Sequence, residues 1–98
     1  MIFWLKTPGD AAARRRVIEA SLGFRKIPGV LSVDAGELLP SPRPNVDTGY
    51  DVAVSIWLRD RAALEAYQVH PLHKAMLQEI GPTVDRTVVY DFTRSAPR

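Results

Sequence analysis

A continuous apolar run and a stretch of alternating apolar and polar residues predict the first two of four β-strands. Residues 1–5, Met-Ile-Phe-Trp-Leu, are all apolar. Both faces of this strand are therefore expected to be buried. Residues 30–38 alternate, and Leu31, Val33 and Ala35 are expected to share one apolar face. A chain of this length covers a second sheet face most simply with a partner subunit.

Two further strands are predicted over residues 50–59 and 84–93. The first has an apolar face of Tyr50, Val52, Val54, Ile56 and Leu58. Its other face mixes small, polar and aromatic side chains, which suits a subunit interface or a pocket wall better than solvent: Asp51, Ala53, Ser55, Trp57 and Arg59. In the last strand, one face carries Val88, Tyr90 and Phe92, and the other carries Val89 and Asp91.

Helical spacing marks residues 11–26, where an apolar stripe contains Val17, Ile18, Leu22 and Phe24. Asp10 is the predicted N-cap, and Ile27-Pro28-Gly29 ends the segment. Three consecutive arginines, at positions 14–16, point in directions that span about 200° on a helix. We therefore expect a solvated helical face, with Asp10 supporting Arg14, rather than a phosphate-binding cluster.

A proline interrupts the second helical segment. Asp60 is the predicted N-cap of its first part, which is expected to end near Val69. Pro71 inside a helix would cost about 3 kcal/mol, so a second helix is expected to begin with His70 as N-cap and Pro71 in its first turn. That helix is expected to stop at Gly81-Pro82.

The order of elements is β-α-β-β-α-β, which predicts a ferredoxin-like α+β fold with a four-stranded antiparallel sheet. Helices cover one face, and we expect a homodimer to bury the other, giving a dimeric α+β barrel. Residues 1–93 are predicted to form one domain and residues 94–98 a disordered tail. The proline-rich stretch 39–45 is expected to be a loop, either a lid or a connector.

Composition excludes several classes of function. The 98 residues contain no cysteine, which rules out disulfides and thiolate chemistry. A net charge of +2 gives no reason to expect nucleic acid. No apolar run approaches the roughly 20 residues of a membrane span, so no membrane partner and a cytoplasmic location are expected. Both histidines lie in one stretch, but their spacing and the lack of a third ligand predict no metal site.

That stretch, from Tyr67 to His73, is the candidate site. Histidine titrates near neutrality, and a tyrosine hydroxyl can polarise a carbonyl or hold an enolate, so the two could form an acid/base pair. Tyr67 and His70 share a helical face, and His73 lies beyond the break. The alternative is structural: His70 caps a helix, Tyr67 belongs to the core and His73 is a surface imidazole.

Five motifs in this order resemble the stress-responsive A/B barrel domain (Dabb) family, and they span nearly the whole chain. They are Lys6-Thr7-Pro8-Gly9, Ile27-Pro28-Gly29-Val30, Gly49-Tyr50-Asp51, the stretch from Ala66 to His73, and Val89-Tyr90-Asp91-Phe92. The resemblance implies a ferredoxin-like fold whose sheets pair into a barrel, within the dimeric α+β barrel superfamily.

The resemblance also implies roles for single residues. A polyketide cyclase of this family performs a cofactor-free aldol condensation, and its catalytic histidine and supporting tyrosine correspond to His73 and Tyr67. His70 corresponds to a histidine with a structural role. A pocket tyrosine of that cyclase corresponds to Ala20, and a histidine of its first strand corresponds to a position before Met1, so a different substrate is expected. Other relatives resemble plant stress proteins that form very stable oligomers.

These observations give a leading hypothesis and two alternatives. The leading one is a homodimer that binds a small apolar, aromatic or polyketide-like molecule between sheet and helices, without cofactor or metal. His73 would be the general base and Tyr67 the hydrogen-bond donor, with Trp57, Phe24 and His70 as further binding residues. The alternatives are a non-enzymatic stress or assembly protein, and a cofactor-free monooxygenase or isomerase.

Overall fold

The computed structural model describes residues 1–95, in which the predicted order of elements is confirmed. The strands are β1 (Ile2–Leu5), β2 (Val30–Glu37), β3 (Val52–Leu58) and β4 (Val84–Val88), and the helices are α1 (Ala11–Leu22), α2 (Arg61–Val69) and α3 (Pro71–Ile80). Short 3₁₀ segments, Gly23–Lys26 and Gly81–Thr83, follow α1 and α3. Residues 96–98 of the predicted tail lie outside the described residues.

The sheet is antiparallel throughout and has the strand order β2-β3-β1-β4. Ile2 of β1 lies opposite Ala53 of β3 on one side and Val88 of β4 on the other. The helices cover one face of this sheet, which we call the inner face, and leave the outer face without a layer of its own. The predicted ferredoxin-like α+β fold is therefore confirmed.

One hydrophobic core lies between the helices and the inner face. Its buried members come from every strand and helix except β4 and the 3₁₀ segment Gly81–Thr83, because inward positions recur every second residue on strands and every third or fourth on helices. The most deeply buried large side chains are Phe3, Phe24, Ile27, Ile80, Val17 and Val52.

All three predicted helix N-caps are confirmed. The Ala13 amide donates to Asp10 Oδ1 at 3.1 Å, and the Ala63 amide donates to Asp60 Oδ1 at 2.8 Å. At the break between α2 and α3, the Leu72 amide donates to His70 Nδ1 at 3.1 Å. Each side chain satisfies an amide that the first helical turn leaves without an intrahelical partner.

Asp51 corrects two expectations. It precedes β3 and is 3% exposed, rather than facing an interface or pocket. Its carboxylate accepts from the Leu5 amide at 3.0 Å, the Gly9 amide at 2.8 Å and Arg14 Nε at 3.1 Å. Arg14 is thus a partner of Asp51 and not part of a solvated face supported by Asp10, because a buried carboxylate attracts the nearest cation.

We call these four residues the Asp51 cluster. Burial by itself would raise the pKa of Asp51, but the hydrogen bonds from Gly9, Leu5 and Arg14, together with the Arg14 charge, outweigh it and hold that pKa below its ordinary value. The cluster ties the end of β1, the following turn, the first turn of α1 and the start of β3 together.

The expected inward position of Leu31 is wrong. Val30 pairs with Leu58 whereas Ser32 pairs with Trp57, so Leu31 is an extra residue in a β-bulge. The bulge shifts the alternation by one residue and leaves Leu31 67% exposed, while Val33 stays in the core.

The last strand is shorter than expected. Val88 pairs with Ile2, and β4 ends there, whereas the prediction extended it to residue 93. In the first strand, Phe3 and Leu5 are buried and Ile2 and Trp4 are only half-buried on the outer face. Residues 39–45 contain neither helix nor strand, as predicted.

Candidate functional site

A cavity of about 360 Å³ lies between the inner face of β3, helix α2 and the segment after β4. It opens at the Met1 end of β1, where residues 89–92 depart from the sheet. Most lining side chains are apolar, and the polar ones come from β3, from α2, from α3 and from the segment after β4. The lining residues are Met1, Ile2, Val54, Ser55, Ile56, Leu58, Leu64, Tyr67, Gln68, His73, Val89, Tyr90, Asp91 and Phe92.

The helix break brings Tyr67 and His73 together in this cavity. Tyr67 lies in α2 and His73 in α3, and their ring centroids are 4.4 Å apart with a tilt of 44°. Pro71 forces the change of direction between the two helices, since it cannot continue the hydrogen-bond ladder of α2. The two residues thus face the same space from separate helices.

Phe24 packs against both rings. Its centroid is 5.6 Å from that of Tyr67, at 84°, and 5.5 Å from that of His73. It is completely buried and does not line the cavity. Phe24, which the sequence analysis proposed as a binding residue, therefore supports the two polar rings from the core side.

The Tyr67 hydroxyl has no hydrogen-bond partner among residues 1–95, although the residue is only 6% exposed. Buried polar groups in proteins are nearly always paired. Burial, and then the negative charge of Asp91, raises the pKa of Tyr67 to about 12. The hydroxyl therefore keeps its proton at neutral pH and can donate it in a hydrogen bond to a molecule in the cavity.

The two histidines have opposite hydrogen-bond roles. His73 Nδ1 lies 3.2 Å from the Gln68 carbonyl oxygen, and because a carbonyl can only accept, this nitrogen carries the proton when the bond forms. Nε2 of His73 then has a free lone pair. His70 instead accepts the Leu72 amide through Nδ1, which must be unprotonated.

Asp91 is a lining residue that the sequence analysis did not propose. On the expected last strand it lay on a sheet face, whereas the strand ends at Val88 and residue 91 reaches the cavity mouth. The residue pattern gives no signal of this, because it continues to alternate beyond Val88.

Trp57 and His70, the other proposed binding residues, do not line the cavity. Trp57 lies on the outer face, where its ring meets that of Phe92 edge-on at 5.5 Å. On the same face, the Arg86 guanidinium lies 4.4 Å above the Trp4 ring. Between these aromatic pairs is a shallow trough of about 390 Å³, lined chiefly by small residues such as Gly36, Ala53 and Ser55.

Two further observations concern residues 1–95. No three histidine, aspartate or glutamate side chains in this range come together as a possible metal site. The longest helix, α1, has 12 residues, and none of the described helices has the length and apolar character needed to cross a membrane.

Comparisons with known proteins agree with this architecture. A Dabb family protein with a ferredoxin-like fold from Mesorhizobium loti is similar at 25% identity and a TM-score of 0.73, over 97% of this chain and 92% of that one. A dimeric protein of unknown function with a ferredoxin-like fold, from Bacteroides fragilis, is similar in fold at 17% identity and a TM-score of 0.61, over 87% and 82%. No curated protein matches.

The family profile of the stress-responsive A/B barrel domain matches residues 1–94. That match includes every strand and helix described above and the whole candidate site. The chain therefore belongs to the stress-responsive A/B barrel domain (Dabb) family.

Proposed function

We propose that this protein binds a small, largely apolar carbonyl compound in the cavity and moves a proton on it. The observation that carries the proposal is the unpartnered, buried Tyr67 hydroxyl beside His73, in a cavity with room for a ligand. A buried hydroxyl without a partner is unfavourable in the free protein, and a ligand acceptor would satisfy it.

The lining defines the class of ligand. A volume of about 360 Å³ is near the lower end for small-molecule sites, which run from about 300 to 1,000 Å³. Aliphatic side chains such as Ile56, Leu58 and Leu64 provide an apolar wall. A single aromatic ring or a short polyketide-like chain with a carbonyl group fits this combination.

The proposed reaction is proton transfer next to the carbonyl. Nε2 of His73 takes a proton from the carbon adjacent to the carbonyl, and the C–H electron pair shifts to form an enolate. Tyr67 donates a hydrogen bond to the enolate oxygen, where the negative charge develops. The Gln68 carbonyl holds Nδ1–H of His73 and so favours the tautomer with a basic Nε2. Return of the proton to carbon or to another acceptor completes the cycle.

Exchange of the methyl protons of acetophenone in D₂O, followed by ¹H NMR, tests this proposal. We expect the wild-type protein to accelerate exchange, His73→Gln to lower the protein-dependent rate about 10²–10⁴-fold, and Tyr67→Phe to lower it about 10²–10³-fold. His70→Asn is the matched control, because it removes a histidine outside the cavity and retains an N-cap side chain.

Two results would contradict the proposal. Equal exchange rates in wild type and His73→Gln would show that His73 is not the general base. Failure of acetophenone to bind or exchange at all would favour the alternative that this protein acts only through assembly.

We also propose that the outer face pairs with that of a second copy. The outer face carries the Trp57–Phe92 and Trp4–Arg86 pairs around a trough, and Phe92 is 74% exposed. Exposed apolar surface of this kind is typical of an interface, and the structural neighbour from Bacteroides fragilis is a dimer.

Light scattering coupled to size exclusion tests the pairing. We expect twice the chain mass for wild type and the mass of a single chain for Ala53→Arg, which places a charge in the trough. Glu79→Arg, on the exposed helical side, is the control and should keep the wild-type mass. A single-chain mass for the wild type would refute the pairing.

A further inference from the structure

The charged groups of the cavity are unevenly distributed. Asp91 is the one acidic side chain among the lining residues, and the lining contains no lysine or arginine. His73 and the two tyrosines, Tyr67 and Tyr90, are the other titratable side chains of the lining. The ligand therefore meets a carboxylate without a cationic side chain to balance it.

We propose that Asp91 makes the cavity select neutral ligands over anionic ones, so that the substrate class is neutral aryl or alkyl ketones rather than keto acids. This inference rests on the proposed function and specifies the ligand of the same site. It assigns Asp91 as a specificity-determining residue at the cavity mouth.

The polar groups that remain available agree with a neutral ligand. Tyr67 can donate to a carbonyl oxygen, and Nε2 of His73 can accept a proton. Neither offers the paired cationic donors with which proteins usually hold a carboxylate. An anionic ligand would lose its hydration shell and gain only a like charge nearby.

The amino group of Met1 also lies at this cavity, and the experiment must remove its effect. It donates to the Val54 carbonyl at 2.6 Å. Burial lowers the pKa of this ammonium, although the charge of Asp91 opposes the shift. At pH 8.5 most of this group is uncharged, because its ordinary pKa is only about 8.

Asp91 is exposed, which limits the size of the effect. In water, repulsion by a like charge about 4 Å away lowers the affinity for a ligand roughly fivefold. Salt screens this repulsion and makes the effect smaller. We therefore expect a moderate preference that is greatest at low ionic strength.

The experiment compares 4-acetylbenzamide with 4-acetylbenzoate, which have nearly the same shape and the same ketone but differ in charge. Their dissociation constants are measured by calorimetric titration at pH 8.5 and low salt. For wild type we expect the amide to bind about tenfold more tightly. Asp91→Asn should strengthen benzoate binding about fivefold and leave amide binding unchanged. Asp85→Asn, an equal change of charge on β4 outside the cavity, should change neither.

The possible failures are distinguishable. Equal affinities for amide and acid in the wild type would overturn charge selection and leave the proposed function standing. A preference that stays at about tenfold in Asp91→Asn would overturn the role of Asp91. If neither compound binds the wild type and acetophenone exchange is also absent, both the proposed function and this inference are wrong.

Discussion

The two polar clusters of this protein lie at opposite ends of β1 and differ in how their polar atoms are paired. At the Leu5 end, the Asp51 carboxylate has two amides and a guanidinium as partners. At the Met1 end, the buried Tyr67 hydroxyl has no partner, and His73 uses one of its two ring nitrogens. The Asp51 carboxylate thus finds its hydrogen-bond partners within residues 1–95 of the chain, whereas the Tyr67 hydroxyl does not.

This difference separates structural residues from candidate functional ones. A polar group whose partners all come from the same chain contributes to folding. Removing it leaves a buried partner without a hydrogen bond, which lowers the stability of the folded state. A buried polar group next to a cavity and without a partner contributes nothing to folding through that atom. Its hydrogen-bonding capacity is available for a ligand.

The largest expected effect is the loss of the Asp51 carboxylate. Asp51→Ala leaves the Leu5 and Gly9 amides without an acceptor and Arg14, whose side chain is 20% exposed, without its counter-ion. Removing one partner of a buried ion pair typically costs about 3–5 kcal/mol. Urea unfolding should show a decrease of that size, whereas Asp85→Asn on the exposed surface should stay within about 0.5 kcal/mol of wild type. A loss below about 1 kcal/mol would mean that the Asp51 cluster does not hold the fold.

The pH dependence of stability provides a second test of the Asp51 cluster. The folded-state pKa of Asp51 is lowered, so its contribution is fully present above the unfolded value of about 3.9 and is lost as the pH falls through the folded value. The difference in unfolding free energy between wild type and Asp51→Asn should therefore be constant from about pH 5 to 7 and shrink below about pH 4. Urea unfolding across this range measures it, and a difference independent of pH would contradict the account.

A smaller effect is expected at the helix break. His70→Ala removes the acceptor of the Leu72 amide and should lower the unfolding free energy by about 1 kcal/mol, whereas His70→Asn should lose less because asparagine also caps helices. Chemical unfolding of the two variants provides the comparison. Equal losses in both would show that the cap does not account for the role of His70.

The smallest expected effect lies at the unpartnered hydroxyls. Tyr67→Phe and Ser21→Ala each remove a buried oxygen that has no hydrogen-bond partner, so both should leave the unfolding free energy unchanged or raise it by up to about 1 kcal/mol. Thermal and urea unfolding measure this directly. Ser21 does not line the cavity, so only Tyr67→Phe should also impair proton exchange. A decrease in the unfolding free energy of more than about 1 kcal/mol in Tyr67→Phe would show that the hydroxyl stabilises the fold.

Much of the fold could be predicted from the sequence because its signals are local. The N-caps Asp10, Asp60 and His70 lie next to the helices they begin, and Pro71 marks the break by its own chemistry. The alternation in β3 correctly indicated its inner face. The family resemblance then connected these elements to one architecture.

The remaining features depend on contacts between distant residues. Arg14 and Asp51 are 37 positions apart, and their pairing has no signal in either local pattern. The bulge at Leu31 appears only in the pairing of β2 with β3. Asp91 lines the cavity because β4 ends at Val88, although the alternating pattern continues beyond that residue.

The most direct test of the central claim is acetophenone proton exchange in Tyr67→Phe, measured on protein whose stability has been shown to equal that of wild type. Our account predicts that the protein-dependent exchange rate falls about 10²–10³-fold while the fold is unaffected. Exchange at the wild-type rate in this variant would show that the unpartnered hydroxyl is not reserved for a ligand, and would contradict the account.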